Sequence, residues 1–112
     1  MVMFFPLTVS PKMTIERIRS YIRAGHFSVL DHAILEGFKD GVLISDIIAC
    51  LLRGKIIEQY PERKRCLVLG KISDGMPVHV VVDYSWKKSI DIVTVYIPSK
   101  KEWVNYKTRK KK

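Results

Sequence analysis

The stretch from Lys55 to Pro98 constrains the fold most, because four short apolar runs follow one another there with only short polar breaks. The runs read KIIEQY, RCLVLGKI, MPVHVVVDYS and IDIVTVYIP, and they are rich in Val, Ile and Tyr, which suit a half-buried pleated surface. A crossover to a parallel strand needs a dozen or more residues, and none of the breaks supplies them. The stretch therefore predicts an antiparallel meander of four strands.

Three helical segments precede this meander, because apolar residues recur there at three- and four-residue spacing. The first is amphipathic, with arginines on its polar side. The first helix is predicted from about 13 to 24, with Thr14 as its cap and Gly25 just past its end. The second is predicted to start at Ser28 or Asp31 and to end at Asp40. The third is predicted to start at Ile44 or Ser45 and to end at Arg53. Helices followed by strands predict an α+β fold, in which the N-terminal helices pack on one face of a four-stranded antiparallel meander sheet.

The length of 112 residues fits one domain. We expect an extended N-terminal segment at 1–11, with an edge strand from Met3 to Val9 as the alternative, a single α+β domain at 12–99 and a basic C-terminal tail at 100–112. The opening MVMFFPLTV lacks the basic flank and cleavage site of a signal peptide. No apolar run approaches the roughly 20 residues that span a bilayer. The chain is therefore expected to be cytoplasmic and not to bind a membrane.

The net charge of +9 is the unusual part of the composition, and much of it lies in the predicted tail. A basic excess favours a polyanion such as nucleic acid as partner, although the final lysines could equally be a solubilising tail. Cys50 and Cys66 are expected to be buried free thiols, since two cysteines alone do not make a zinc site. No cluster of ligating residues has metal spacing, so neither a metal nor a cofactor is expected.

Strand periodicity predicts one apolar and one mixed face of the sheet. In the third run, Val78, Val80 and Val82 share a face and His79 lies on the other. In the fourth run, the alternation predicts that Tyr96 points into the core with Ile92 and Thr94. We expect the helices to cover the apolar face and the mixed face to form an open groove floor that carries His79.

The ordered motifs DHAILEGFKDG, RGKIIEQYPE, RCLVLG, PVHVVVDY and TVYIP, followed by Trp103 and Arg109, resemble the domain-of-unknown-function family DUF4258 over about residues 27 to 109. Val78 departs from that pattern, in which leucine is usual, and the N-terminal apolar peptide lies outside the match. The resemblance implies the toxin half of a toxin–antitoxin pair beside a zinc-finger antitoxin. It also implies a topology similar to the RelE/ParE toxins, with RNA, free or on the ribosome, as target, and a homodimer as one possible assembly.

Metal-independent RNA cleavage needs a base for the 2′-hydroxyl, an acid for the leaving 5′-oxygen and cations for the phosphate. His79 is the candidate acid or base, and a half-buried histidine bonded to a backbone carbonyl is the alternative. His32 either pairs with His79 or orients its helix. Glu58 is either a base or an ion-pair partner of Arg63 or Arg65. The candidate RNA-binding cations are Arg63, Arg65, Lys71, Lys107, Arg109 and Lys110.

Two tryptophans have two readings each. Trp103 either stacks on bases or pins a last helical turn onto the sheet, and we favour pinning. Trp86, beside Lys87 and Lys88, either contacts a ligand or packs in a turn. The leading hypothesis is a small metal-independent endoribonuclease toxin of the RelE-like kind. The alternatives are a non-catalytic RNA- or protein-binding module and a gyrase-type poison.

Overall fold

The computed structural model describes residues 12–110, so the predicted extended segment at 1–11 lies outside the described residues. The chain forms three α-helices and a five-stranded sheet, followed by a short two-stranded hairpin. In chain order the elements are α1 (Ile15–Ala24), β1 (Phe27–Val29), α2 (Asp31–Lys39), α3 (Ile44–Arg53), β2 (Lys55–Tyr60), β3 (Arg65–Lys71), β4 (Pro77–Asp83), β5 (Ile90–Tyr96), β6 (Trp103–Val104) and β7 (Thr108–Arg109). The α+β class is confirmed.

The sheet has the strand order β1-β5-β4-β3-β2. Its last four strands in sequence form the predicted antiparallel meander, since β2 pairs with β3, β3 with β4 and β4 with β5. The prediction of four strands in total is wrong, because β1 adds a fifth strand parallel to β5. β1 is only three residues long, which is too short to show an alternating pattern, and Ser28 within it resembles a helix cap in the sequence.

The helix ends follow the local signals in the sequence. The Thr14 side chain accepts a hydrogen bond from the backbone N–H of Arg17 at 3.2 Å and caps α1. Gly25 ends that helix in the left-handed region at φ 75°, which glycine adopts without strain. The start of α3 at Ile44 is confirmed. Helix α2 begins at Asp31, but the prediction of Ser28 or Asp31 as its cap is wrong, because Leu30 occupies the cap position without a side-chain hydrogen bond.

The main core lies between the helices and one face of the sheet. It includes Ile18 of α1, Leu51 of α3, and Val68 and Val80 of the sheet, all of which are fully buried or nearly so. Cys50 and Cys66 are also buried there as free thiols, which confirms the prediction for both. At Gly70 the backbone of β3 approaches α3 so closely that a side-chain carbon would lie 2.5 Å from the Cβ of Cys50.

The prediction that Tyr96 packs into the main core is wrong. The register of β4 and β5 shifts between Val81 and Val82, which pair with Thr94 and Ile92 respectively and leave Val93 unpaired. The extra residue of this bulge reverses which face the following side chains occupy. Val95 therefore belongs to the core with Ile92, while Tyr96 pairs with His79 on the opposite face.

The face opposite the helices is not open. The hairpin formed by β6 and β7 lies on it, and Trp103 of that hairpin is only 4% exposed. Trp103 therefore packs on the sheet as predicted, but the predicted helical turn is wrong, because the segment is a hairpin. Leu67 and Leu69 of β3 are buried on this second face as well. For its described part, the segment predicted as a basic tail from residue 100 is therefore a folded part of the domain.

Candidate nucleic-acid interface

His79 lies at the centre of the second face, beneath the hairpin, and has 0% exposure. Its Nε2 is 2.7 Å from the backbone carbonyl oxygen of Tyr106, and its Nδ1 is 3.1 Å from the hydroxyl of Tyr96. The rings of Trp103 and Tyr96 meet the imidazole edge-on, with centroids 4.4 Å and 5.2 Å away. The prediction of an open groove floor carrying this imidazole is wrong, because a hairpin that the meander pattern did not reveal covers it.

The hydrogen bonds assign the protonation state of His79. A carbonyl oxygen only accepts, so Nε2 carries the proton and donates it to Tyr106, and Nδ1 accepts from the hydroxyl of Tyr96. Burial lowers the pKa of His79, partly opposed by the bond to Tyr106, and therefore favours the neutral ring. Burial also raises the pKa of Tyr96 to about 12. With both ring nitrogens engaged, this imidazole contacts no RNA unless the hairpin moves.

A tight hairpin turn presents the carbonyl that His79 binds. Asn105 and Tyr106 have φ values of 50° and 63°, and the N–H of Lys107 donates to the carbonyl of Val104 at 3.0 Å. Positive φ at both central residues matches the twist of an antiparallel pair, although a tyrosine in this region is strained. The bond to His79 and the burial of Trp103 help to hold this turn in place.

At the edge of the hairpin, Glu58, Tyr60 and Arg109 form a second cluster. The Tyr60 hydroxyl donates to Glu58, and Arg109 donates to Glu58 at 3.3 Å and to the Tyr60 hydroxyl at 3.4 Å. The guanidinium of Arg109 also lies 4.6 Å from the centre of the Trp103 ring. Glu58 is therefore an ion-pair partner, but the prediction of Arg63 or Arg65 as its partner is wrong, since it pairs with Arg109. Its role as a base stays a prediction.

Beside this cluster lies a groove of about 460 Å³ whose charged lining residues are all cationic. We call it the cationic groove and define it by Arg53, Lys55, Lys71 and Lys107. Among the side chains that the structure describes, which do not include that of Asp74, none of these four forms an ion pair with a carboxylate. The adjacent Lys107 is the main cause that lowers the pKa of Lys55, with a smaller contribution from Lys71. The groove therefore holds like charges close together, with no counter-ion among the described side chains.

The other predicted site residues are dispersed. Arg65 is paired with Asp83 at 2.9 Å, Arg63 is exposed in the turn after β2, and Lys110 is exposed after the hairpin. His32 is exposed at the start of α2, which packs on the opposite face of the sheet from His79. The idea that His32 pairs with His79 is therefore wrong, because the sheet separates them.

Sequence reasoning missed two members of the cationic groove, Arg53 and Lys55. The pairing of Lys55 with Leu69 places Lys55 beside the end of β3, where Lys71 lies. An antiparallel β2–β3 pair was predicted, so this neighbourhood could have been read from the sequence. The arrival of Lys107 could not, because it depends on where the hairpin folds back.

A separate surface between α2 and α3 is apolar. Phe38, Leu43 and Ile44 line a groove of about 350 Å³ there, and all three are exposed. Within the part of the chain that the structure describes, no helix has the length and apolar character needed to cross a membrane.

Fold and site together define a small α+β protein in which helices cover one sheet face, and a C-terminal hairpin covers the other beside a cationic groove. The family model for the domain of unknown function DUF4258 matches residues 29–97, so the chain belongs to that family. This match confirms the family resemblance found in the sequence. Comparison with curated proteins and with solved structures gave no significant match.

Proposed function

We propose that this protein binds RNA by its phosphate backbone and that the cationic groove is the main contact. The observation that carries the proposal is a set of four clustered cations with no carboxylate partner among the described side chains, in which Lys107 lowers the pKa of Lys55. Bound phosphates relieve such repulsion and release counter-ions, which favours association. The choice of RNA over other polyanions rests on the resemblance to RelE-like toxins.

A charge-removal experiment tests this binding. We expect the double variant Lys55→Gln, Lys107→Gln to bind a labelled single-stranded RNA at least about tenfold more weakly than the unaltered protein, measured by fluorescence anisotropy at fixed salt. Lys39→Gln is the matched control, since Lys39 is an exposed lysine of α2 on the far side of the sheet. Equal affinity of the double variant and the unaltered protein would reject the groove as the RNA site.

A second candidate function is metal-independent endoribonuclease activity, the chemistry expected of a toxin. The Glu58–Tyr60–Arg109 cluster supports it, because it places a carboxylate, a phenol and a guanidinium next to the cationic groove along β2. In this scheme Glu58 takes the proton of the 2′-hydroxyl, whose oxygen attacks the adjacent phosphorus. The bond from phosphorus to the 5′-oxygen breaks and leaves a cyclic phosphate, while Arg109 stabilises the charge on the phosphate.

The proton balance of this reaction closes within the same cluster. The 5′-oxygen is more basic than a phenolate, so it takes the proton of Tyr60, and Glu58 returns the proton from the 2′-hydroxyl to Tyr60 through their hydrogen bond. This assignment replaces His79 with Glu58 and Tyr60 as the acting groups. The reason is that His79 has 0% exposure and has both ring nitrogens bonded.

Glu58→Gln separates the two candidate functions. If the protein is an endoribonuclease, Glu58→Gln no longer cleaves RNA, either free or on translating ribosomes. Its RNA affinity stays within about threefold of that of the unaltered protein, because the cationic groove is intact. If the unaltered protein cleaves neither substrate and causes no growth arrest on expression, the enzyme is rejected and RNA binding alone stands. A zinc-finger antitoxin as partner and a homodimer remain predictions from the resemblance. RNA affinity that does not fall with salt would favour the gyrase-poison alternative.

A further inference from the structure

The loop between β4 and β5 carries a large aromatic side chain that the fold does not use. Trp86 is 69% exposed, whereas Trp103 is buried under the hairpin. Trp86 is followed directly by Lys87 and Lys88, both exposed. An exposed indole flanked by ammonium groups has the chemistry of a base-stacking platform, in which the ring contacts a base and the cations contact its phosphates.

Hydrogen bonds on both sides of Trp86 fix this loop. Before it, the N–H of Ser85 donates to the Asp83 carboxylate at 2.9 Å, and the N–H of Tyr84 donates to the carbonyl of Lys64 at 2.8 Å. After it, the Tyr21 hydroxyl donates to the carbonyl of Lys87 at 2.7 Å. An aromatic group on an anchored loop loses little conformational entropy when it binds a ligand, so its contact contributes more to affinity.

The surroundings of the loop also favour an anionic ligand. Lys64 is exposed and lies beside the loop through its backbone bond to Tyr84. Tyr21, which holds Lys87, lines a pocket of about 290 Å³ together with Arg17 and His26. The nearby carboxylate of Asp83 is neutralised by Arg65 at 2.9 Å. Asp91, which pairs with Asp83 in the sheet, adds one negative charge, and the exposed Lys64, Lys87 and Lys88 outnumber it.

The loop and the cationic groove lie at opposite ends of the same sheet. Lys71 ends β3 at the groove, whereas Arg65 begins β3 at the end where the loop lies. Seven residues of strand separate the two ends, which corresponds to roughly 20 Å. An oligonucleotide of several residues is long enough to span this distance, and a base must be unpaired to stack on an indole.

We propose that Trp86 is a base-stacking residue and that single-stranded RNA, not duplex RNA, is the ligand class. This inference rests on the RNA binding proposed above. The cationic groove contacts phosphates of either form, because single-stranded and duplex RNA both carry a phosphate backbone. Trp86 adds selectivity for the single strand, since the bases of a duplex are stacked on one another and are closed to a side chain.

The test compares one RNA of about 12 nucleotides, alone and annealed to its complement, by fluorescence anisotropy. We expect Trp86→Ala to weaken binding of the single strand about 5- to 150-fold and to change duplex binding by less than about twofold. Trp86→Phe, which keeps an aromatic face, retains most of the affinity. Trp86→Ala leaves the slope of affinity against salt concentration unchanged, since it removes no charge. The double variant at Lys55 and Lys107, by contrast, binds both the single strand and the duplex more weakly.

Tryptophan fluorescence gives a readout that does not depend on affinity. Addition of single-stranded RNA is expected to quench emission of the unaltered protein, and this quenching is absent in Trp86→Phe, where only the buried Trp103 remains. Far-UV circular dichroism confirms that the variants fold. If Trp86→Ala binds the single strand as well as the unaltered protein does, stacking is rejected while RNA binding stands. If the unaltered protein binds neither RNA form, both the stacking inference and the proposed function are rejected.

Discussion

His79 holds the hairpin to the sheet, so its replacement by phenylalanine is predicted to be strongly destabilising. The substitution fills a similar volume but removes both hydrogen bonds of the fully buried imidazole, so the Tyr96 hydroxyl and the Tyr106 carbonyl, which belong to half-buried residues, lose these partners. Each unsatisfied buried polar group costs about 1–3 kcal/mol. The free energy of unfolding should therefore fall by about 2–6 kcal/mol, a large part of the roughly 5–15 kcal/mol typical of a domain.

Urea unfolding followed by circular dichroism measures this change, and an unaltered dependence on urea concentration shows that the same two states are compared. Tyr96→Phe is the matched control, because it removes only the bond to Nδ1 of His79 and should cost about 1–3 kcal/mol. If His79→Phe unfolds within about 0.5 kcal/mol of the unaltered protein, His79 does not anchor the hairpin and the reasoning is refuted.

The pH dependence of the unfolding free energy, compared between the unaltered protein and His79→Phe, gives a second check. Burial lowers the pKa of His79 in the folded state, so the unfolded state binds a proton first as the pH falls below about 6.5. The stabilisation from the neutral ring is present above that pH and is lost as the pH falls towards the folded pKa, with a slope of at most about 1.4 kcal/mol per pH unit. The difference in stability between the unaltered protein and His79→Phe should therefore narrow on acidification. A difference independent of pH between 7 and 5 would contradict the assignment of a neutral buried imidazole.

Three further predictions follow from packing. Gly70→Ala should lower the free energy of unfolding by about 1–3 kcal/mol, because the new methyl group would lie 2.5 Å from the Cβ of Cys50 and force β3 and α3 apart. An unchanged thermal midpoint of unfolding would refute this prediction. Iodoacetamide should leave Cys50 and Cys66 unmodified in the native protein at neutral pH and should label both in urea, and mass spectrometry measures this labelling. The reason is that burial raises the pKa of Cys50 to about 11 and that of Cys66 to about 12. Trp103→Ala should make the 100–110 segment susceptible to trypsin while the α-helical signal persists, because that indole is buried under the hairpin; equal digestion rates would argue against this.

The sequence predicted the elements whose signals are local. Thr14 and Gly25 marked the ends of α1, and the alternation around Val80 marked the face of β4 that packs on the helices. The antiparallel meander followed from short polar breaks that leave no room for a crossover. In each case neighbouring residues along the chain carry the information.

The parts that could not be predicted depend on distant contacts or on one irregular residue. The unpaired Val93 reverses the orientation of Tyr96, and a bulge of this kind leaves no mark in an alternating run of apolar residues. The hairpin from 103 to 109 has too few residues for periodicity, and its position is set by Trp103 and by the bond from His79 to Tyr106. The cationic groove could not be predicted for the same reason, because Lys107 reaches Lys55 only once the hairpin is in place.

Amide chemical-shift mapping of the isotope-labelled protein during titration with single-stranded RNA tests the central claim most directly. We expect the largest shifts at Lys55, Lys71 and Lys107, with further shifts in the loop that carries Trp86, and little change along α2. Shifts confined to the apolar surface between α2 and α3, or no shifts at all, would contradict RNA binding at the cationic groove.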